Sequence, residues 1–298
     1  MSVALQLARW AYRAARRTPL LKWRWCRAIA RRLWRRIVPK RLFRVETIAG
    51  SLWVDSRDEG VAPSLLATGA YEPYETRLLH GILQPGMVFV DIGANIGYYT
   101  SLAAARVGAR GRVIAIEPAP QNFSLLRRNI AESDNFHVEV YQCALGGQST
   151  TGVLYLSETN AGDHRTFAMD DPERSKIPTS IRRLDDLIDA STHIDVVKMD
   201  IQGAEPAALA GMTGLLKANR DIVLFTEFWP AAIKQSGYCP RDFLHRLRQS
   251  GFRLRRIDEA QERLEDFTLQ AANQLCESHR HVNLLAVRGA YASADFDR

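Results

Sequence analysis

Acidic residues are missing from the first 44 positions of this 298-residue chain, and their absence divides it in two. Fourteen of the 40 lysines and arginines precede the first acid, Glu46. The other 26 face all 33 acids, so a formal net charge of +7 conceals a body of net −7. Such asymmetry marks an arm that meets an anionic surface and a body with different work. Cysteine is also scarce. Cys26, Cys143, Cys239 and Cys276 form no CxxC pair and have no histidine spacing suited to zinc. That argues against a disulfide framework and for a reducing compartment. No apolar run approaches the roughly 18–20 residues of a membrane-spanning helix. Arginines interrupt every stretch that could form the core of a secretory signal. The chain therefore reads as cytoplasmic, or peripheral at a membrane face, although its arginine-rich start shares the composition of an organelle transit peptide. Internal repeats and low-complexity tracts are absent.

The sequence divides into a basic amphipathic arm (1–44), a catalytic domain (45–290) and a short tail (291–298). Pro19 splits the arm. On a helix, Trp23, Cys26, Ala30, Leu33, Trp34 and Ile37 share one face, and Arg24, Arg31, Arg32, Arg35 and Arg36 the other. An apolar, tryptophan-bearing stripe opposite an arginine stripe suits a helix lying in an anionic membrane interface. It suits equally a helix packed on the body with its arginines solvated. Nucleic-acid binding is disfavoured because the rest of the chain is acidic.

Beyond a short strand pair near 44–55, strands alternate with helices. Helices are expected over about 73–83, 98–107, 120–132, 206–218 and 240–250. Strands are expected over 88–92, 112–117, 138–145, 195–199, 222–228, 252–257 and 282–287, with an extra strand at 152–156 and a polar stretch at 159–180. Alternation of this kind builds a parallel sheet covered on both faces, an α/β fold.

The most informative stretch is Val88-Phe-Val-Asp-Ile-Gly-Ala-Asn-Ile-Gly97. An apolar strand ends at Asp91, turns through Gly93, Asn95 and Gly97, and enters a helix. Glycines let a ligand approach the backbone closely, and the helix start offers free N–H groups. Glu117, at the end of the next strand, can accept hydrogen bonds from both hydroxyls of a ribose. The turn reads G-x-N-x-G, without the middle glycine that brings a pyrophosphate against the chain. Asp91 would repel a pyrophosphate but suits the ammonium of a methionine moiety. Charge sign therefore favours S-adenosylmethionine (SAM) over NAD.

The run from Tyr71-Glu72-Pro73 through Gln84-Pro85-Gly86 and Asp91-Ile92-Gly93-Ala94-Asn95-Ile96-Gly97 resembles the FkbM-like family of SAM-dependent methyltransferases. So do Ile116-Glu117-Pro118 with Asn122 and Asn129, Leu184-Asp185-Asp186-Leu187, and Val197-Lys198-Met199-Asp200-Ile201-Gln202-Gly203-Ala204-Glu205. Gln202 departs from the glutamate common in that family. The resemblance covers roughly residues 70–230. It implies a seven-stranded, Rossmann-like class I methyltransferase sheet with helices on both faces and a last antiparallel strand. It also implies a cofactor set of Glu72, Asp91, Gly93, Ala94, Asn95, Gly97, Glu117, Pro118 and Asn122, and methyl transfer to a hydroxyl oxygen of a glycan, glycolipid or secondary metabolite.

Ligands of open α/β sheets bind beyond the carboxyl ends of the strands, where Asp200 and Glu227 close theirs. Asp200 is the leading candidate for the base, and helix capping is its structural alternative. Glu205 fits a helix first turn. His164, in the polar segment 160–165, could act as a base from a loop over the cleft. Asp200 and Glu227 could pair on a divalent cation, but nothing in the spacing demands a metal. Trp229 could stack on a sugar ring. From a different class, a SAM-binding module without catalysis would use the arm for nucleic acid or another partner. The membrane reading predicts that residues 1–44 co-sediment with anionic liposomes and that salt releases them; an arm that ignores anionic vesicles at low salt ends it.

Overall fold

The computed structural model describes residues 38–132, 137–169, 171, 174–278, 280–294 and 296. The arm's expected helix therefore lies, through residue 37, outside the described residues.

The described chain opens with an antiparallel hairpin, β1 (Leu42–Thr47) and β2 (Gly50–Asp55), followed by α1 (Ala62–Thr68) and α2 (Pro73–Ile82). Asp58 caps α1, accepting the N–H groups of Val61 and Ala62. The start of α2 is capped from far along the chain. The Glu259 carboxylate accepts the N–H groups of Tyr74 and Glu75 at 3.1 and 2.7 Å. Then come β3 (Val88–Ile92), α3 (Tyr98–Val107), β4 (Arg112–Ile116), α4 (Pro120–Ala131) and β5 (Val138–Tyr141). Three strands leave the main sheet: β6 (Ala144–Leu145), β7 (Thr150–Leu156) and β8 (Ser175–Arg182) form their own, in the order β6-β8-β7. The chain continues through α5 (Leu184–Leu187), β9 (Val196–Met199), α6 (Glu205–Ala210), α7 (Thr213–Ala218) and β10 (Ile222–Phe228). It ends with α8 (Pro230–Gln235), α9 (Pro240–Gln249), β11 (Arg253–Asp258), β12 (Arg263–Asp266), α10 (Leu269–Cys276) and β13 (Val282–Arg288).

The main sheet runs β12-β11-β13-β10-β9-β3-β4-β5. From β10 to β5 the strands are parallel, and β13 is inserted antiparallel between β10 and β11. That is the expected seven-stranded arrangement, with β12 added as an eighth strand on the β11 edge. Side chains alternate between two cores, as a pleated strand requires. Val90, Ile92, Ile114, Val197 and Leu224 pack with Leu209, Phe243 and Leu247. Phe89, Val113, Val196 and Phe225 pack on the other side with Leu65, Leu79 and Leu102. Each large chain so buried contributes about 1.5–3 kcal/mol. Among the described residues no helix is long and apolar enough to cross a membrane.

Two expected elements are divided. Residues 138–145 read as one strand, yet Gln142 and Cys143 carry the chain from one sheet to another. The helix expected over 206–218 breaks at Gly211, whose carbonyl accepts from the Asp185 N–H at 2.9 Å. A Cβ on Gly211 would lie 2.1 Å from the Gly146 carbonyl oxygen, a backbone atom that cannot swing aside. Gly211→Ala is therefore expected to cost about 1–3 kcal/mol of stability. A chemical denaturation curve measures it, and an unshifted midpoint would show that the contact relaxes freely.

Candidate active site

β3 delivers Gly93 to the carboxyl edge of the sheet with φ +84°, a left-handed backbone that suits glycine. The N–H groups of Gly93 and Ala94 both donate to the Ile116 carbonyl of β4, at 2.9 and 3.0 Å. A Cβ on Gly93 would stand 2.1 Å from the Asp200 carbonyl oxygen, so the ends of β3 and β9 meet because residue 93 has no side chain. Asn95 follows at φ +52°. Its N–H donates to one Glu117 oxygen and the Ala119 N–H to the other, both at 2.9 Å. Each carboxylate oxygen keeps capacity for a further donor. Burial pushes Glu117 up to about 7, against the pull of those backbone donors. Asn129 braces the turn from behind, donating to the carbonyls of Ile96 and Trp53 at 2.8 and 3.1 Å.

A cleft of about 410 Å³ lies over this turn, lined by Glu72, Gly93, Ala94, Asn95, Glu117, Pro118, His164, Asp200 and Glu227 among others. The remaining three expected residues stand behind it. Asp91 is buried, with its Oδ2 accepting from Thr100 Oγ1 at 2.6 Å, and burial pushes it up to about 6. Gly97 starts α3. Asn122 holds the loop that covers the cleft: its Nδ2 donates to the Ala161 carbonyl at 2.8 Å. Asn95 Nδ2 reaches the same carbonyl at 3.4 Å, and the Ala161 N–H donates to Asp58 Oδ1 at 2.9 Å. The polar segment around residue 160 thus covers the site through one residue's main chain. His164 belongs to this cover. Its Nδ1 accepts the Ser157 N–H at 3.1 Å, and burial lowers it to about 4.

The opposite wall is an acid cluster around one lysine. Lys198 Nζ lies 3.0 Å from Glu75 Oε1 and 3.9 Å from Asp200 Oδ2, and 4.5 Å from the centre of the Tyr99 ring. Glu72 accepts from Tyr99 Oη at 3.0 Å and from Asn283 Nδ2 at 2.9 Å. Burial, with Glu75 next to it, pushes Glu72 up to about 8. Gln202, at φ +56°, aims its amide between two carboxylates, Nε2 donating to Asp200 Oδ1 at 2.8 Å and to Glu227 Oε2 at 3.3 Å. Burial and the Asp200 charge raise Glu227 well above the usual carboxylate range. An uncharged donor thus occupies the gap between these carboxylates, and among the described residues no three histidine, cysteine or acidic side chains group to hold a metal ion. Glu205 is buried and accepts the N–H groups of Ile201 and Gly203, which shapes the turn; burial pushes it up to about 7. The Trp229 ring is already engaged, with the Arg165 guanidinium 4.7 Å and the His281 ring 5.5 Å from its centre.

No site role for Glu75, Tyr99, His281 or Asn283 follows from the sequence, because none stands at the carboxyl end of a parallel strand or in the glycine turn. Only the antiparallel insertion of β13 brings His281 and Asn283 here.

The cradle fits SAM. It has a side-chain-free approach at Gly93, a buried carboxylate with spare acceptor capacity at Glu117, and more acid than base for a cofactor bearing a sulfonium. Fold and cleft together have the architecture of a class I methyltransferase domain with a place for SAM. Residues 91–254, more than half the sequence, match the family described as the methyltransferase FkbM domain, and the chain belongs to that family. Methyltransferase 1 of Beauveria bassiana is 27% identical, covering 41% of this chain and 57% of its own length. Methyltransferase sdnD of Sordaria araneosa is 28% identical, covering 41% and 59%. The chain thus spans less than two thirds of these relatives. The crystal structure of methyltransferase FkbM from Methylobacillus flagellatus KT shares 16% identity over 75% of this chain and 52% of that one, with a TM-score of 0.42.

The raised carboxyls set a pH dependence. Asp91, Glu117, Glu205 and Glu72, at about 6, 7, 7 and 8, retain protons in the fold that the unfolded chain has released. The stability they contribute is full below the ordinary carboxylate range and is lost as pH rises through the raised values. The unfolding temperature of the ligand-free protein is expected to fall from about pH 5 to pH 8. Scanning calorimetry across that window tests this, and a steady rise would contradict it.

Proposed function

We propose that the protein transfers a methyl group from SAM to a hydroxyl oxygen of a neutral glycan, glycolipid or secondary metabolite. The observation that carries this reading is the pair Asp200 and Glu227, joined by Gln202 at the strand ends in the same cleft as the nucleoside cradle. Glu117 would take the ribose hydroxyls, with Gly93, Ala94, Asn95 and Pro118 lining the approach and Glu72 facing the cationic part of the cofactor. Bound SAM supplies an already activated methyl group, so the chain's own task is to align the acceptor and take its proton. Asp200 is the base, held in place by the Gln202 amide. Glu227, whose raised proton affinity favours its neutral form, donates to the acceptor. His164 is neutral with Nδ1 occupied, so Nε2 carries the proton, and the ring orients the acceptor as a donor rather than a base. Asp91 and Asn122 act from behind, fixing α3 and the cover. The basic arm would hold this chemistry at an anionic membrane face.

Two substitutions test the assignment. Glu117→Ala removes a carboxylate hydrogen-bonded to its ligand and is expected to weaken SAM binding roughly 100-fold, about 3 kcal/mol, by calorimetry. Asp200→Asn is expected to slow transfer of radiolabelled methyl to a panel of neutral glycosides and alcohols about 100-fold or more, with SAM affinity unchanged. Unchanged turnover would remove Asp200 from the mechanism.

A further inference from the structure

Tyr71, Tyr98 and Tyr99 line the reaction cleft, and the chemistry proposed above gives none of them a part. Tyr98 and Tyr99 open α3 and are buried. Tyr71 precedes α2 and is half-buried. Its ring stands across the other two, at 82° to Tyr98 and 70° to Tyr99, with centres 6.4 and 6.5 Å apart. Thr76 Oγ1 donates to the Tyr71 carbonyl at 2.6 Å and holds the main chain in place. The next residue, Glu72, has φ +42°, a left-handed conformation that strains any residue but glycine. That strained step sets both side chains in the cleft wall.

One ring of this group receives a cation, since the Lys198 ammonium lies 4.5 Å from the centre of Tyr99. Among the described residues none brings a cation over Tyr71, and its hydroxyl makes no hydrogen bond. Glu72 beside it, together with burial, holds the phenol well above its ordinary value, so the ring stays neutral with its electron-rich face intact. The strand order places this ring relative to the cofactor. Glu117 follows β4 and Asp200 follows β9, and β3 runs between them with neighbours about 4.8 Å to either side. With the ribose at Glu117 and the acceptor at Asp200, the sulfur that joins ribose to the methionine portion falls over the end of β3. Tyr98 and Tyr99, against which Tyr71 packs, follow that strand through the glycine turn.

We propose that Tyr71 is the aromatic seat of the SAM sulfonium and the residue by which the protein distinguishes SAM from S-adenosylhomocysteine. The two ligands differ by one methyl group and its positive charge. A cation over an aromatic face is attracted to it, and a neutral thioether loses that attraction. The ring that holds the substrate therefore loosens on the product. This assignment rests on the cofactor placement proposed above and is independent of the acceptor.

Calorimetry on the full chain compares the two ligands. Tyr71→Leu is expected to weaken SAM about 10-fold and S-adenosylhomocysteine by no more than about twofold. Tyr71→Phe keeps the ring and should retain the wild-type preference for SAM. Phenylalanines carrying one, two or three fluorines at position 71 are nearly equal in size but have a progressively weaker negative face. They should lower SAM affinity stepwise and leave S-adenosylhomocysteine affinity flat, which a packing role would not do, and they read out the ring even if Tyr71→Leu fails to fold. Equal losses for the two ligands in Tyr71→Leu, or a fluorine series that leaves SAM affinity flat, overturns the proposal. Glu117→Ala tells the two levels apart, because both ligands carry the ribose. If the cofactor placement were wrong, Glu117→Ala would leave both affinities unchanged. If Tyr71 alone were wrong, Glu117→Ala would weaken both alike while Tyr71→Leu failed to separate them.

Discussion

The carboxyl end of the sheet is organised around one buried ammonium. Moving a lysine out of water costs several kcal/mol, and the cost is met only where opposite charge and hydrogen bonds surround it. Lys198 has Glu75 in direct contact, Asp200 within 4 Å and the face of Tyr99 beneath it. These contacts fix α2 against β9, and Asn283 fastens β13 to the same acids by donating to Glu72 and to Glu75 at 2.9 and 2.6 Å. One charge therefore sets the relative position of three elements that the sequence separates widely. A single lysine does not balance the acids gathered here, and the surplus shows as protons held at neutral pH. A cationic cofactor would supply the charge that this acid cluster lacks.

What was legible in the sequence is what depends on neighbours along the chain. The apolar run ending in Asp91, the glycines of the turn, Glu117 at the end of the next strand and Asp200 and Glu227 closing theirs are local patterns. Each keeps its meaning because a parallel strand delivers its last residue to a fixed edge of the sheet. The central parallel strands β3, β4, β9 and β10 are buried on both faces, and their continuous hydrophobicity announces them.

The remainder was hidden for physical reasons. In β8 only Thr179 is buried, and Pro178 interrupts the run, so neither alternation nor composition marks a strand. The break between α6 and α7 comes from the approach of Gly146, a contact that helix periodicity does not encode. Glu75 reads as an ordinary acid in a helix's first turn, yet it is almost fully buried because Lys198 waits behind it. His164 reads as a loop histidine over the cleft, and neither its burial nor the Ser157 N–H on its Nδ1 is encoded by a sequence pattern.

The attachment of the cover has a kinetic consequence. Ala161 is gripped by Asp58, Asn122 and Asn95, and Asn95 is itself a residue of the cofactor turn. Lifting the cover breaks about three hydrogen bonds of roughly 1 kcal/mol each, and one of them belongs to the cradle. The cover and the cofactor turn thus share a hinge pin, so the ease with which the loop at Ala161 opens depends on how firmly Asn95 is held.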